Sequence, residues 1–201
     1  MNRRELMKII AVATGVAMVG ADALAYIEPE AATSLQESAF SKDDFTLLEA
    51  VAETIMPRTD TPGAKDAGIA AFMVGMVTDC YDSAQQAIFM KGLQQIDSRS
   101  RERFGNNFVA LKTDQQLDLL NEIDTQAKAQ NERQMKQLMA AVAGEKPEPA
   151  HYFTLIKQLT LFSFFSSKAG ATQVLRHVSV PGKYDGDFPY KKGDRAWAPI
   201  A

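Results

Sequence analysis

The sequence predicts an all-α protein: an irregular helical bundle with an extended, aromatic-rich C-terminal arm. Three observations lead there. Apolar residues recur every three or four positions in successive segments, each opened by a capping residue. No alternating run is long enough to build a sheet. The closing stretch, residues 179–201, mixes glycine and proline with Tyr184, Phe188, Tyr190 and Trp197, the last being the only tryptophan. Glycine and proline argue against a regular element there, yet disordered tails are poor in aromatics. The arm is therefore expected to lie against its own bundle or against a partner.

The 201 residues suggest one domain, residues 41–178, with extra segments at its ends. Hydrophobic residues make up 46% and charged residues 23%, enough apolar material for one core. The net charge of −3 gives no broad basic surface, which disfavours nucleic-acid binding. Cys80 is the sole cysteine, so an intrachain disulfide and a cysteine-built zinc or iron–sulfur site are excluded. It sits in an apolar stretch and is expected to be a small buried hydrophobe.

The first 25 residues read as an address. Arg3 and Arg4 precede an apolar run over 9–20, and Ala23-Leu24-Ala25 offers the small residues of a cleavage site, with Ala25 as its last. The pair with Leu6, Met7 and Lys8 behind it resembles a twin-arginine signal, although Asn2 and Leu6 depart from the usual motif. That route exports proteins already folded, which suits a chain leaving the cytoplasm with a folded companion. The other reading is an uncleaved membrane anchor; against it, the run falls short of the roughly 20 residues a span needs. Residues 26–40 are small or polar without period and read as a flexible leader.

The first helix should begin at Ser41, with Asp43 and Asp44 in its first turn, and carry Phe45, Leu48, Val51, Ala52 and Ile55 on one face. It should stop near Met56, because Pro57 and Pro62 each fix one φ and restrict the residue before them. Residues 57–68 form a stiff polar connector, either a plain rigid turn or a surface that a partner grips. Asp66 is expected to cap the second helix, with Ile69, Phe72, Met73, Met76 and Val77 on its buried face. Asp82 or Ser83 should cap a third, carrying Ile88, Phe89, Leu93 and Ile96 and ending at Gly105. Its arginines Arg99, Arg101 and Arg103 read as a solvated helix end.

Thr113 is expected to cap a fourth, long helix, with stripes at Leu117, Leu120 and Ile123 and later at Met135, Leu138, Met139 and Val142. The nearly all-polar stretch 124–134 between them reads as a break or an exposed bend. Gly144 and the prolines that follow close the element. Residues 151–167 are the most apolar stretch beyond the signal and cover most of a helix circumference. That helix is either the centre of the bundle or partly covered by another subunit, and Lys157 and Gln158 argue against a membrane span. A short helix is expected over 171–177.

Chemistry is sparse. His151 and His177, the only histidines, have no further His or Cys at ligand spacing and read as structural residues at helix ends. Haem-attachment, phosphate-binding and nucleophile-elbow motifs do not occur, and no carboxylate pair suggests acid–base work. No catalytic, cofactor-binding or metal-binding residue is assigned to this chain.

A resemblance is carried by three stretches: Leu47-Leu48-Glu49-Ala50-Val51-Ala52-Glu53-Thr54-Ile55-Met56-Pro57-Arg58-Thr59-Asp60-Thr61-Pro62-Gly63-Ala64, Leu159-Thr160-Leu161-Phe162-Ser163-Phe164-Phe165-Ser166-Ser167, and Val180-Pro181-Gly182-Lys183-Tyr184-Asp185-Gly186 with Arg195-Ala196-Trp197-Ala198. Together with the leader, these look like the gluconate 2-dehydrogenase subunit 3 family, from about Phe45 to Ala198. The resemblance implies a non-catalytic accessory subunit. Its companion would be a glucose–methanol–choline-type flavoprotein holding FAD and oxidising a sugar or sugar acid. A cytochrome c subunit with haem c often takes the electrons onward. The small subunit would carry the flavoprotein through the twin-arginine translocase to the periplasm, where the complex is peripheral to the inner membrane. Pro57, Arg58, Pro62, Tyr184 and Trp197 are the expected partner contacts. With Cys80 alone, the arm must be held by packing. The competing functions are an exported helical binding protein with no redox partner and a free-standing enzyme built on His151 or His177.

Overall fold

A computed structural model describes residues 40–140, 148–178, 182 and 186–198, all within one compact unit, Ser38–Ala201. The expected signal residues Arg3, Arg4 and Ala25 lie outside the described residues, as do Val142, Gly144 and Tyr184. Among those described there are five α-helices: α1 Lys42–Ile55, α2 Ile69–Cys80, α3 Ser83–Phe104, α4 Thr113–Ala140 and α5 Tyr152–Ser166. A 3-10 turn, Phe108–Ala110, joins α3 to α4, and a π-helical turn, Gly170–Val174, follows α5. The described residues contain no strand, so the fold is all-α as the spacing predicts.

The caps explain most of the boundaries. Ser41 accepts from the Asp44 N–H while the Asp44 carboxylate accepts from the Ser41 N–H, a closed capping box. Asp82 and Gln85 form the same reciprocal pair at α3. Gly105 ends α3 with φ of 72°, a left-handed value that glycine adopts without a Cβ clash, and donates its N–H to the Arg101 carbonyl. At α5 the cap is His151, whose Nδ1 accepts from the Phe153 N–H at 3.1 Å.

The apolar helix α5 is the centre of the bundle. It packs against each of α1, α2, α3 and α4 and against the π-turn, burying Tyr152, Phe153, Ile156, Leu159 and Phe164. Around it lie Leu48 and Val51 of α1, Met73 and Val74 of α2, Phe89, Leu93 and Ile96 of α3, and Leu119 and Ile123 of α4, all at most 1% exposed. Each such side chain contributes about 1.5–3 kcal/mol on leaving water. Phe40, just before the first cap, is also buried and meets Phe89 edge-on at 6.1 Å.

Several expectations give way to the tertiary structure. Asp66 does not cap α2; Gly68 does, at φ 62°, because the Asp66 carboxylate is held elsewhere in the connector. Phe72 is 48% exposed and rests against Phe162 at 6.3 Å, since α2 turns Ala70 and Val74 to the core instead. Cys80 is exposed rather than buried, at the last turn of α2. Helix α4 runs unbroken through the polar stretch, starting with Thr113 inside its first turn. That stretch is a polar seam with α5. Asp124 accepts from Lys157 at 2.8 Å and Asn131 pairs with Thr154 at 2.9 Å, while Ala127 is buried between them. Burial pushes the Asp124 carboxyl up, but hydrogen bonds from Lys128 and Lys157 outweigh it and hold the group below its ordinary value. Leu117 and Met135 are half exposed, and Leu119 takes the buried place. The helix expected over 171–177 is instead the π-turn, which ends at Val174.

Gly92 lets α5 approach α3: a Cβ there would lie 2.6 Å from the Tyr152 Cβ. Gly92→Ala is expected to destabilise the fold by about 1–3 kcal/mol, the usual cost of overpacking. Urea unfolding followed by circular dichroism measures this, and an unchanged midpoint would contradict the close approach.

Candidate functional site

The connector between α1 and α2 is held by two carboxylates rather than by its prolines alone. Glu53, on the last turn of α1, accepts from the Arg58 N–H through Oε1 at 3.0 Å and from the Lys65 N–H through Oε2 at 2.8 Å. Asp66 grips the Arg58 guanidinium with both oxygens, Nε to Oδ2 at 2.6 Å and Nη2 to Oδ1, and also accepts from the Gly63 N–H at 2.9 Å. The Ala64 N–H closes the loop onto the Met56 carbonyl at 2.9 Å. A bidentate guanidinium–carboxylate pair fixes direction as well as distance. The Asp66 carboxyl is accordingly held below its ordinary value, first by Arg58 and then by the Gly63 N–H, and the Arg58 guanidinium is raised in turn. Gly63 is required by space: a Cβ there would lie 2.6 Å from both the Arg58 nitrogen and the Glu53 Oε1.

This frame shapes a polar cleft of about 430 Å³, lined by Arg58, Thr59, Asp60, Thr61, Pro62 and Asp66 on the connector and by Ala169 and Gln173 beyond α5. Gln173 stands on the π-turn, a helix distortion often found at functional positions. The turn itself depends on Gly170, where a Cβ would fall 2.0 Å from the Phe164 carbonyl oxygen. Pro57, Arg58 and Pro62 therefore share one connector, with Arg58 and Pro62 on the cleft wall.

Trp197 lies apart from the connector, in the arm, and Arg176 anchors it. The Arg176 N–H donates to the Ala196 carbonyl at 2.8 Å and its carbonyl accepts from the Ala198 N–H at 2.9 Å, an isolated parallel bridge with Trp197. The Arg176 guanidinium lies 4.9 Å from the Trp197 ring centre and 5.2 Å from that of Phe188. The two rings meet edge-on at 5.4 Å, and the Asp194 carboxylate stands 3.9 Å from Arg176. Arg176 of the same chain holds these residues, while Trp197 stays 51% and Phe188 47% exposed. Sequence reading passed over Arg176 completely, since nothing in its neighbourhood marks it. Glu53 and Asp66 left a trace: carboxylates flanking a proline-rich loop with N–H groups to satisfy.

No group of three or more metal-ligating side chains gathers among the described residues, and no described helix is long and apolar enough to cross a membrane. His151 is spent on its cap, and His177 is exposed in the segment after the π-turn. Fold and site together define a helical protein with a rigid, polar cleft and an aromatic C-terminal segment anchored by Arg176. The sequence matches the family described as gluconate 2-dehydrogenase subunit 3 over residues 42–182, and the chain belongs to that family. It is thus a subunit of the gluconate 2-dehydrogenase type of complex. The match takes in the connector and α5 and ends at 182, four residues into the arm. No curated protein and no solved structure matches the chain.

Glu53→Ala is expected to leave two backbone N–H groups without their acceptor and to cost about 1–3 kcal/mol. Faster amide exchange at Arg58 and Lys65 would report it locally; unchanged exchange at both would refute the staple. A second prediction concerns acid. Burial, with Arg99 adding repulsion, holds the His151 imidazole below its ordinary value of about 6.5. The unfolded chain then binds the proton more readily than the fold, so stability falls as pH drops below about 6.5 and levels off beneath the folded value. His151→Asn keeps a capping acceptor and should flatten this window in unfolding curves taken from pH 7 to 5.

Proposed function

We propose that this chain is the non-catalytic small subunit of a periplasmic, FAD-dependent sugar or sugar-acid dehydrogenase. It escorts the flavoprotein through twin-arginine export and stabilises it afterwards. The observation that carries this reading is the family match across 42–182, joined to the Arg3-Arg4 leader ahead of it. In this reading FAD sits in a glucose–methanol–choline-type large subunit, and a cytochrome subunit with haem c passes electrons to the membrane. The small subunit lends surface only. Pro57, Arg58 and Pro62 of the connector form one contact, and Tyr184 and Trp197 of the arm form the other.

The connector suits that role physically. Its backbone is already ordered by Glu53 and Asp66, so little conformational entropy remains to be lost when a partner binds. The cleft wall also offers the Thr59, Asp60, Thr61 and Gln173 side chains for hydrogen bonding.

Export is testable without purification. The double substitution Arg3→Lys and Arg4→Lys should strand the flavoprotein's dehydrogenase activity in the cytoplasm, leaving little in the periplasmic fraction. Normal periplasmic activity in that strain would sink the escort role.

A further inference from the structure

Residues 186–198 are largely exposed and carry three cations, Lys191, Lys192 and Arg195, against two acids, Asp187 and Asp194. Tyr190 is 76% exposed, Trp197 51% and Phe188 47%. Lys191, Lys192 and Arg195 are exposed too, and none makes an ion pair among the described residues. Asp194, one of the two acids over 186–198, is engaged by the Arg176 guanidinium and by the Lys191 N–H at 2.9 Å. A basic, aromatic strap thus sits on a chain whose net charge is −3.

We propose that Arg176 clasps residues 186–198 into a preformed strap, and that this strap docks on an acidic surface of the companion subunit. The inference rests on the reading above that a companion exists, and it assigns the chemistry of one contact. Aromatic residues and arginine supply most of the binding energy where proteins meet. Unpaired lysines steer a surface toward negative charge and suppress wrong partners, all the more when the rest of the molecule is acidic. The clasp removes much of the ordering cost in advance, because guanidinium, both rings and the backbone bridge already share one arrangement. A lipid surface is the other anionic candidate, but Phe188 and Trp197 are turned onto each other and onto Arg176 rather than left free to insert. The family match ends at 182, ahead of the strap. Arg176 is in this sense a positioning residue, and Lys191, Lys192 and Arg195 are the recognising ones.

The test uses the full chain, tagged and purified from cells that also make its flavoprotein, with retained flavin read by absorbance. Wild type should retain flavin at about 50 mM salt and lose much of it near 500 mM, as screened charge contacts do. Lys191→Glu with Lys192→Glu should cut retention about tenfold at low salt while leaving the melting temperature unchanged. Arg176→Ala should speed tryptic cleavage at 191–195 and shift the emission of Trp197, the sole tryptophan, in the isolated chain; Arg176→Lys should restore little, since the planar stack is lost. Retention by the charge-reversed variant equal to wild type at both salts overturns the strap and leaves the complex standing. A wild type that holds no flavin overturns both. Charge-dependent binding to phosphatidylglycerol vesicles, with flavin retention indifferent to charge, overturns the strap in favour of a lipid surface.

Discussion

Helix α5 has apolar side chains around most of its circumference, and water cannot be allowed to reach them. That constraint organises the molecule. Burying such a helix on several sides needs several neighbours, and α1, α2, α3 and α4 all supply packing surfaces to it. Close approach then demands small residues, which is why Gly92 faces Tyr152. It also demands that polar groups on the approaching helices be satisfied across the seam, as Asp124 and Asn131 are by Lys157 and Thr154. One apolar pair stays at the surface: Phe162 of α5, 53% exposed, rests against Phe72 of α2.

From that centre the chain projects two ordered, non-helical features, and charge rather than apolar burial shapes both. In the connector, Glu53 and Asp66 satisfy backbone N–H groups that the prolines and the sharp turn leave without helical partners. In the arm, Arg176 does the reverse, offering a cation to two ring faces. Both solutions work close to solvent, where an isolated ion pair is worth little. They hold because each charged group makes several directed contacts at once. The π-turn stands beside both: Gln173 lines the connector's cleft, and Arg176 follows two residues after the turn ends. Under the proposed function this is an advantage, because elements ordered beforehand lose less entropy on binding.

Legibility in the sequence followed the range of the interaction. Ser41, Asp82 and Gly105 could be read because caps act within three or four residues. The end of α1 at Met56 followed from Pro57. Asp66 was misassigned as a cap because a capping side chain and a guanidinium partner look the same in one dimension. The polar stretch of α4 reads as a break because its polar partners lie on α5, 23 and 33 residues away. Cys80 and Phe72 fell on the wrong side of α2 for a related reason: a helix with nearly uniform apolar character does not declare which face the bundle will use.

The residues alone determined the all-α class, most helix ends, the central place open to α5 and the family to which the chain is similar, because these depend on local periodicity and on contiguous motifs. Only the tertiary structure decided that Glu53 and Asp66 hold the connector, that Gln173 joins its cleft, and that Arg176 anchors Trp197 from 21 positions away. The reason is physical. A salt bridge, a staple or a cation–π contact depends on where two side chains end up after packing, and packing is set by the whole bundle at once rather than by either residue's neighbours.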